Sequence, residues 1–248
     1  MNKNNTEYSI YGLNNAISIL SSKKYLINDI IIMKGGIADL DSKINKYISK
    51  EKYNIRYLNK NDFLSKYSNK HSQGIIIHFS ANFLQDFNSE DFTEKNICYI
   101  IIDQINDPQN LGQIIRTCEC AGIDGIILPK HGSVHITNTV LQVSQGAFEN
   151  INLFMVTNIK NTIDELKSNG FWIIGMENGI DSKEWYDMDY RKKIAIVFGS
   201  ESKGIRKLVK ESCDFLSTIS MKGKTNSLNV SASISAIVFE RQRQLDLK

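Results

Sequence analysis

Short runs of β-branched and aromatic residues recur along the whole chain, and each is separated from the next by a stretch with helical apolar spacing. Six such runs fill the second half: ICYIIIDQI (97–105), GIILP (125–129), LFMV (153–156), FWIIGM (171–176), KIAIVFG (193–199) and FLSTIS (215–220). Several are apolar at consecutive positions, so both faces of the strand must be covered. A parallel sheet with helices on either side meets that condition, and an α/β fold follows.

The first half adds DIIIMKG (29–35), NIRYL (54–58) and QGIIIHF (73–79) as strands. YGLNNAISILSS (11–22) and LDSKINKYISKE (40–51) read as helices, the second with Ile44, Tyr47 and Ile48 on one face. A polar stretch with a weak apolar pattern then reads as a linker. The expected division is a small α/β domain at 1–80, a linker at 81–96 and a larger α/β domain at 97–248. A chain of 248 residues, 42% hydrophobic and 23% charged, has material for both cores. A last helix is expected from about Leu228 to Gln244, with Ile234, Ile237 and Val238 inward.

Several function classes are disfavoured. A formal charge of +3 and a pI near 8.5 permit a polyanionic partner without demanding one. Cys98, Cys118, Cys120 and Cys213 match no zinc spacing and read as buried free thiols, so no metal is expected. There is no 18-residue apolar run, and MNKNNTEYSIYG lacks the apolar core of a signal peptide. The expectation is a soluble cytoplasmic protein with no membrane partner, in which the sequons at Asn4 and Asn229 carry no sugar. Only two prolines occur while Ile, Asn, Lys and Ser abound, the composition of an AT-rich genome.

Ligands of open α/β sheets bind beyond the carboxyl ends of the strands, and three segments there carry surplus polar groups. The first is DPQNLGQIIRTCECAG (107–122), with Asn110 placed to cap a helix and Arg116 as the only charge between Asp107 and Glu119. The second is FGSESKGIRK (198–207). Gly199 and Gly204 have the outer spacing of a P-loop, but Ile205 and Arg206 stand where Lys and Ser/Thr are required. A nucleoside triphosphate site is therefore disfavoured, and the Gly-x-Gly-x-x-Gly dinucleotide fingerprint is absent. Glu201 inside that loop is either a carboxylate favoured by a helix dipole or a functional acid. The third is STISMKGKTNSLNVSAS (217–233), where Ser227 or Asn229 suffices as a cap and the remaining polar groups are left over.

Taken together and in order, these segments resemble the three motifs of the SpoU (TrmH-like) family of RNA ribose 2′-O-methyltransferases, within the SPOUT superfamily. Asp107, Pro108, Asn110, Gly112 and Arg116 match the first motif. Gly199, Glu201 and Gly204 match the second, and Ile219, Met221, Gly223 and Ser227 through Ser231 the third. Ser220 stands where the pattern has proline, and SESK lacks a second glycine that many members carry. YGLNNAI (11–17) and HSQGIII (71–77) look like the small substrate-binding domain of longer members, so the resemblance covers nearly the whole chain. VSQGAFE (143–149) and the length most resemble bacterial enzymes that methylate a guanosine ribose in 23S ribosomal RNA.

The resemblance implies S-adenosyl-L-methionine as methyl donor, a C-terminal domain with a deep trefoil knot, and a homodimer whose site draws on both subunits. It implies ribosomal RNA as partner, including an assembly intermediate. Gly199, Ile219, Met221 and Leu228 would line the cofactor pocket; Asn110, Arg116, Glu201, Ser227 and Asn229 would serve the chemistry. A guanidinium holds its proton, so Arg116 reads as a phosphate ligand that orients the 2′-oxygen unless its pKa is strongly depressed. Lys222, Lys224, Arg206 and Lys207 are candidate phosphate contacts. The same chemistry on transfer RNA, and a non-catalytic ribosome-assembly factor, are the rival readings.

Overall fold

A computed structural model of the chain describes residues 5–67, 70–87, 92–177, 182–200 and 203–247. They form two compact units, Met1–Phe83 with Ile136–Glu149, and Leu84–His135 with Asn150–Lys248.

The first unit opens with β1 (Thr6–Tyr11), α1 (Leu13–Ser22), β2 (Leu26–Met33), α2 (Ile37–Leu40) and α3 (Ser42–Ile48). It continues with β3 (Ile55–Leu58), α4 (Lys60–Lys66) and β4 (Ile75–Ala81). Its sheet runs β1-β4-β2-β3, antiparallel except between β2 and β3. Tyr8 and Ile10 of β1 alternate inward between more exposed neighbours, a period of two too short to stand out in the sequence.

The second unit comprises β5 (Leu84–Asp86), β6 (Cys98–Ile102), α5 (Pro108–Cys120) and β7 (Gly125–Pro129). The chain then leaves it for α6 (Asn138–Ser144) and returns through β8 (Asn152–Val156), α7 (Ile159–Ser168), β9 (Trp172–Met176) and β10 (Lys183–Glu184). Next come β11 (Ile194–Phe198), α8 (Lys207–Lys210), β12 (Phe215–Thr218) and α9 (Val230–Asp246). The order of this sheet is β10-β12-β9-β11-β6-β7-β8-β5, with every pair parallel. On one face Tyr99, Ile101, Ile127 and Val197 join Ile159, Ile163 and Leu166 of α7 in a single core. On the other, Ile100, Ile102, Ile126 and Ile196 are equally closed to water. The doubly apolar strands thus form the doubly covered α/β sheet that their composition demands.

Two details depart from the expected boundaries. Leu84–Asp86, inside the stretch expected as a linker, pairs with β8 as the edge strand of the large sheet. The segment 136–149, expected within the larger domain, packs with the first unit because it closes the open edge of β1. Asn138 Oδ1 accepts from Ser9 N at 3.0 Å, while Gln142 accepts from Tyr11 N at 3.1 Å and donates to Tyr11 O at 2.9 Å. Side-chain amides so placed satisfy backbone groups that would otherwise offer an edge for aggregation. Phe148 then meets Phe83 edge-on at 5.2 Å between ring centroids.

The cysteines divide. Cys98 and Cys118 are buried, and burial pushes the Cys98 thiol up to about 12. Cys120 is exposed, which corrects the reading of all four as buried; the last turn of α5 turns it to solvent.

Glu149 anchors the end of the excursion through Tyr25 and Lys24. Burial raises its carboxyl above the ordinary 4.5, and bonds from Tyr25 and Lys24 oppose that rise in part. A raised acid favours the folded state fully below the unfolded pKa, and that contribution fades as pH rises through the folded one. Glu149→Gln, neutral at every pH, is therefore expected to be more stable than wild type at pH 7–8. Urea denaturation across pH should show the gain shrinking toward pH 4, and a gain that grows on acidification would contradict the burial account.

Candidate active site

From β6 the chain steps to β7 and β8 on one side of the sheet, whereas β11, β9 and β12 lie on the other. The crevice at such a reversal is where open α/β sheets bind ligands. A cleft lies beside that reversal, at the carboxyl ends of β9, β11 and β12. Met176 and Glu177 reach it after β9, Phe198 through Ser200 and Gly204 after β11, and Thr218, Ile219 and Met221 after β12. Ser227, Leu228 and Val230 complete it from the lead-in to α9. Glu177 is the only ionisable side chain lining the cleft among the described residues. A second hollow, bounded by Gln104 through Asp107 and Asn110, shares Ser200 and Val230 with the first.

The loop after β11 doubles back on itself. Ser200 and Gly204 bridge, with Ser200 N donating to Gly204 O at 3.1 Å and Gly204 N to Ser200 O at 2.9 Å. A Cβ built on Gly199 would lie 2.0 Å from the Gly204 carbonyl carbon. Gly204 has φ +65° and presents its bare Cα side to the Glu177 carboxylate, where a Cβ would meet Oε2 at 2.8 Å. The glycine pair thus serves closure of the loop itself, with space for a ligand as the by-product.

That loop is tied down by a buried carboxylate. Asp103, directly after β6, has a fully buried side chain and donates its N–H to Phe198 O at 2.7 Å. Its oxygens accept from Arg206 Nε at 2.7 Å and from Arg206 N at 3.0 Å. Arg206, expected to contact phosphate, is instead committed to this pair, because a buried charge must be matched. Lys207 is 87% exposed and Lys222 and Lys224 are exposed, so these three retain the surface placement expected of them.

A polar seam joins α5 and α9. Asp107, and not Asn110, caps α5, accepting from Gln109 N at 2.8 Å; Pro108 occupies the first turn, where its missing N–H costs nothing. Asn110 is thereby carried inside the helix and buried, with its Oδ1 accepting from Asn229 Nδ2 at 3.0 Å. Asn229 caps α9, its Oδ1 accepting from Ser231 N at 2.8 Å. Ser231 Oγ lies 2.8 Å from Gln113 Oε1, and Ser235 Oγ lies 3.5 Å from Thr117 Oγ1. Residues 110, 113 and 117 share a helix face, so one seam receives all three.

The structure therefore gathers Gly199, Ile219, Met221, Leu228 and Ser227 around the cleft, with Asn110 and Asn229 joined to each other and Asn110 in the hollow beside it. Arg116 is exposed on α5 and lines neither cavity. Glu201 lies outside the described residues. Sequence reading missed Asp103, whose partner is 103 residues away, and Glu177, which belongs to no motif; its position at a strand's carboxyl end was the one available signal. No group of three or more His, Cys, Asp or Glu side chains that could hold a metal occurs among the described residues.

This geometry defines an α/β protein with a cleft at the carboxyl ends of a parallel sheet, and likeness to known proteins gives it a family. The model of the SpoU rRNA Methylase family matches residues 97–239. A Staphylococcus aureus protein named as a TrmH family tRNA/rRNA methyltransferase is 36% identical over 217 residues, covering 86% of this chain and 87% of that one. A Staphylococcus saprophyticus protein of the same name is 38% identical over 221 residues, 88% and 86% of the two chains. Among solved structures, the SpoU methyltransferase AviRb from Streptomyces viridochromogenes, in complex with AdoMet, superposes with TM-score 0.78 at 16% identity. That match covers 96% of this chain and 90% of AviRb. An RNA 2′-O ribose methyltransferase superposes with TM-score 0.79 at 18% identity, over 97% and 90%. The chain belongs to the SpoU rRNA methylase family, and is an RNA methyltransferase.

Removal of Arg206 would leave the Asp103 carboxylate buried without its ion pair. Arg206→Ala is expected to destabilise the fold by ~3 kcal/mol, a buried-pair figure tempered by the half-exposed guanidinium. Lys207→Ala, next door on the surface, should stay within about 0.5 kcal/mol of wild type. Chemical denaturation of both variants measures the contrast, and equal effects would remove Asp103 from its anchoring role.

Proposed function

We propose that this chain transfers a methyl group from S-adenosylmethionine to a ribose 2′-hydroxyl of RNA, specifically a guanosine of 23S ribosomal RNA. The observation that carries the reading is convergence. Residues of three loops spread from Asn110 to Asn229 meet at one cleft and the hollow beside it.

The cleft suits the cofactor chemically. Phe198, Ile219, Met221, Leu228 and Val230 offer apolar surface for a purine nucleoside, with Glu177 a negative charge for a cationic ligand. Backbone groups at the ends of β9, β11 and β12 supply hydrogen bonds for adenine and amino-acid edges. When bound, S-adenosylmethionine supplies a sulfonium methyl already activated for in-line displacement. What remains for the protein is alignment of the attacking oxygen and removal of its proton.

No histidine lies in the three motifs, so an imidazole base is not on offer there. Arg116 keeps its proton and is assigned to the phosphate beside the target ribose, orienting the 2′-oxygen. Because it is exposed and lines neither cavity of its own chain, the reading includes a homodimer in which Arg116 serves a site completed by the second subunit. Asn110 and Asn229 fix each other's amides at the edge of the hollow, while Ser227 faces the cleft. Glu201 is assigned to hold Arg116 or relay the proton through water. The knotted path of the C-terminal domain and a cytoplasmic location belong to the same reading, supported by family membership.

Mapping of 2′-O-methylation in ribosomal and transfer RNA, with and without the gene, tests the substrate. Loss of one 23S guanosine methyl is the expected outcome. A change confined to transfer RNA would replace the substrate, in line with the tRNA/rRNA naming of the relatives, and no change at all would favour an assembly factor. With purified protein, Arg116→Ala is expected to lower turnover roughly 100-fold with cofactor affinity unchanged. Full turnover by Arg116→Lys would sink the phosphate-orienting role.

A further inference from the structure

Residues Ser217, Thr218, Ile219 and Met221 all line the cleft, and Ser220 alone in that run does not. Ser220 turns away and donates its hydroxyl to Glu184 Oε1. The register explains the reach. Glu184 of β10 pairs with Thr218 of β12 across a parallel ladder, and Ser220 lies only two residues beyond that pair, just past the end of β12. β10 is only two residues long and forms the outer edge of the sheet, so few backbone bonds hold it to β12. Glu184 is half-buried, and its Oε2 is buried with no hydrogen-bond partner among the described residues. Ser220 is thus the identified side-chain bond of this carboxylate.

We infer that Ser220 and Glu184 form a positioning tether for the cofactor-binding wall: the bond holds the extension of β12 so that Ile219 and Met221 present themselves to the ligand. Neither residue touches the ligand; they act through their neighbours. Proline, which the motif carries at this place, would fix φ through its ring and cannot donate a hydrogen bond. Serine leaves the backbone free, and the bond to Glu184 replaces the restraint. The inference rests on the cleft being the S-adenosylmethionine site.

The test measures S-adenosylmethionine affinity by calorimetry on the full chain, beside thermal midpoints and RNA affinity. Ser220→Ala and Glu184→Ala are each expected to raise the cofactor Kd roughly fivefold, the loss of one hydrogen bond. RNA affinity and kcat at saturating cofactor should stay unchanged, a split that general destabilisation would not produce. The double variant should be no worse than either single one, and Ser220→Thr, which keeps the hydroxyl, should restore binding. In a Ser220→Pro background Glu184→Ala should cost nothing. Additive single effects, or the same loss from Glu184→Ala in both backgrounds, would overturn the tether. Leu228→Arg, which puts bulk and positive charge into the cleft, is the control for the premise. If that variant binds S-adenosylmethionine as wild type does, the cleft assignment fails; if it loses binding while Ser220→Ala does not, the tether alone fails.

Discussion

One buried carboxylate holds the cleft end of the large sheet together. Asp103 leaves β6 with its side chain wholly out of water, and such a charge persists only if every lone pair finds a donor. Arg206 provides both its guanidinium and its backbone N–H, which fixes where the loop after β11 returns. The Gly199–Gly204 turn then closes between two set points, the end of β11 and the anchored Arg206. Glu177 accepts from Ile205 N at 3.2 Å and supports the same turn from β9. Three neighbouring strands are thereby locked in relative height at their carboxyl ends, a precondition for a cleft with definite walls.

The strands of the second unit were legible because their burial on both faces removes polar residues at consecutive positions, a pattern that few other short elements produce. What escaped sequence reading are elements whose partners lie far away. Leu84–Asp86 is three residues in a polar stretch, and only β8 makes it a strand. The excursion at 136–149 carries ordinary amides, and nothing local says that Gln142 will bond the backbone of Tyr11, 131 residues earlier. Cys120 is exposed although Cys118 is buried, since two steps along a helix rotate a residue to the opposite side.

The candidate site was legible to the extent that its residues cluster in sequence. Gly199, Ile219, Met221, Leu228 and Ser227 stand in two short segments, and the sheet delivers those segments to one cleft. The local pattern offers Asn110 as a helix cap, whereas Asp107 caps the helix and burial against Asn229 is what occupies Asn110. Arg206 shows the opposite error. Its place in a basic loop suggested phosphate, and the buried acid that claims it is visible only in three dimensions. Glu177 sits at the end of a strand outside all three motifs, where type alone distinguishes it little from any surface glutamate.

The Gly199–Gly204 closure also bears on how such a sequence can drift. Glycine and proline codons are both rich in G and C, so an AT-leaning genome presses on both. Fifteen glycines stand against two prolines here. The imbalance has a mechanical reading. Proline's contribution is a restraint on one torsion, and a hydroxyl bonded to a neighbouring carboxylate supplies a comparable restraint, as Ser220 and Glu184 do. Glycine at 199 contributes an absence, and no side chain can imitate the missing atom when the adjacent carbonyl carbon would lie 2.0 Å away. The restraint at position 220 thus has a substitute in this chain, and the vacancy at Gly199 has none.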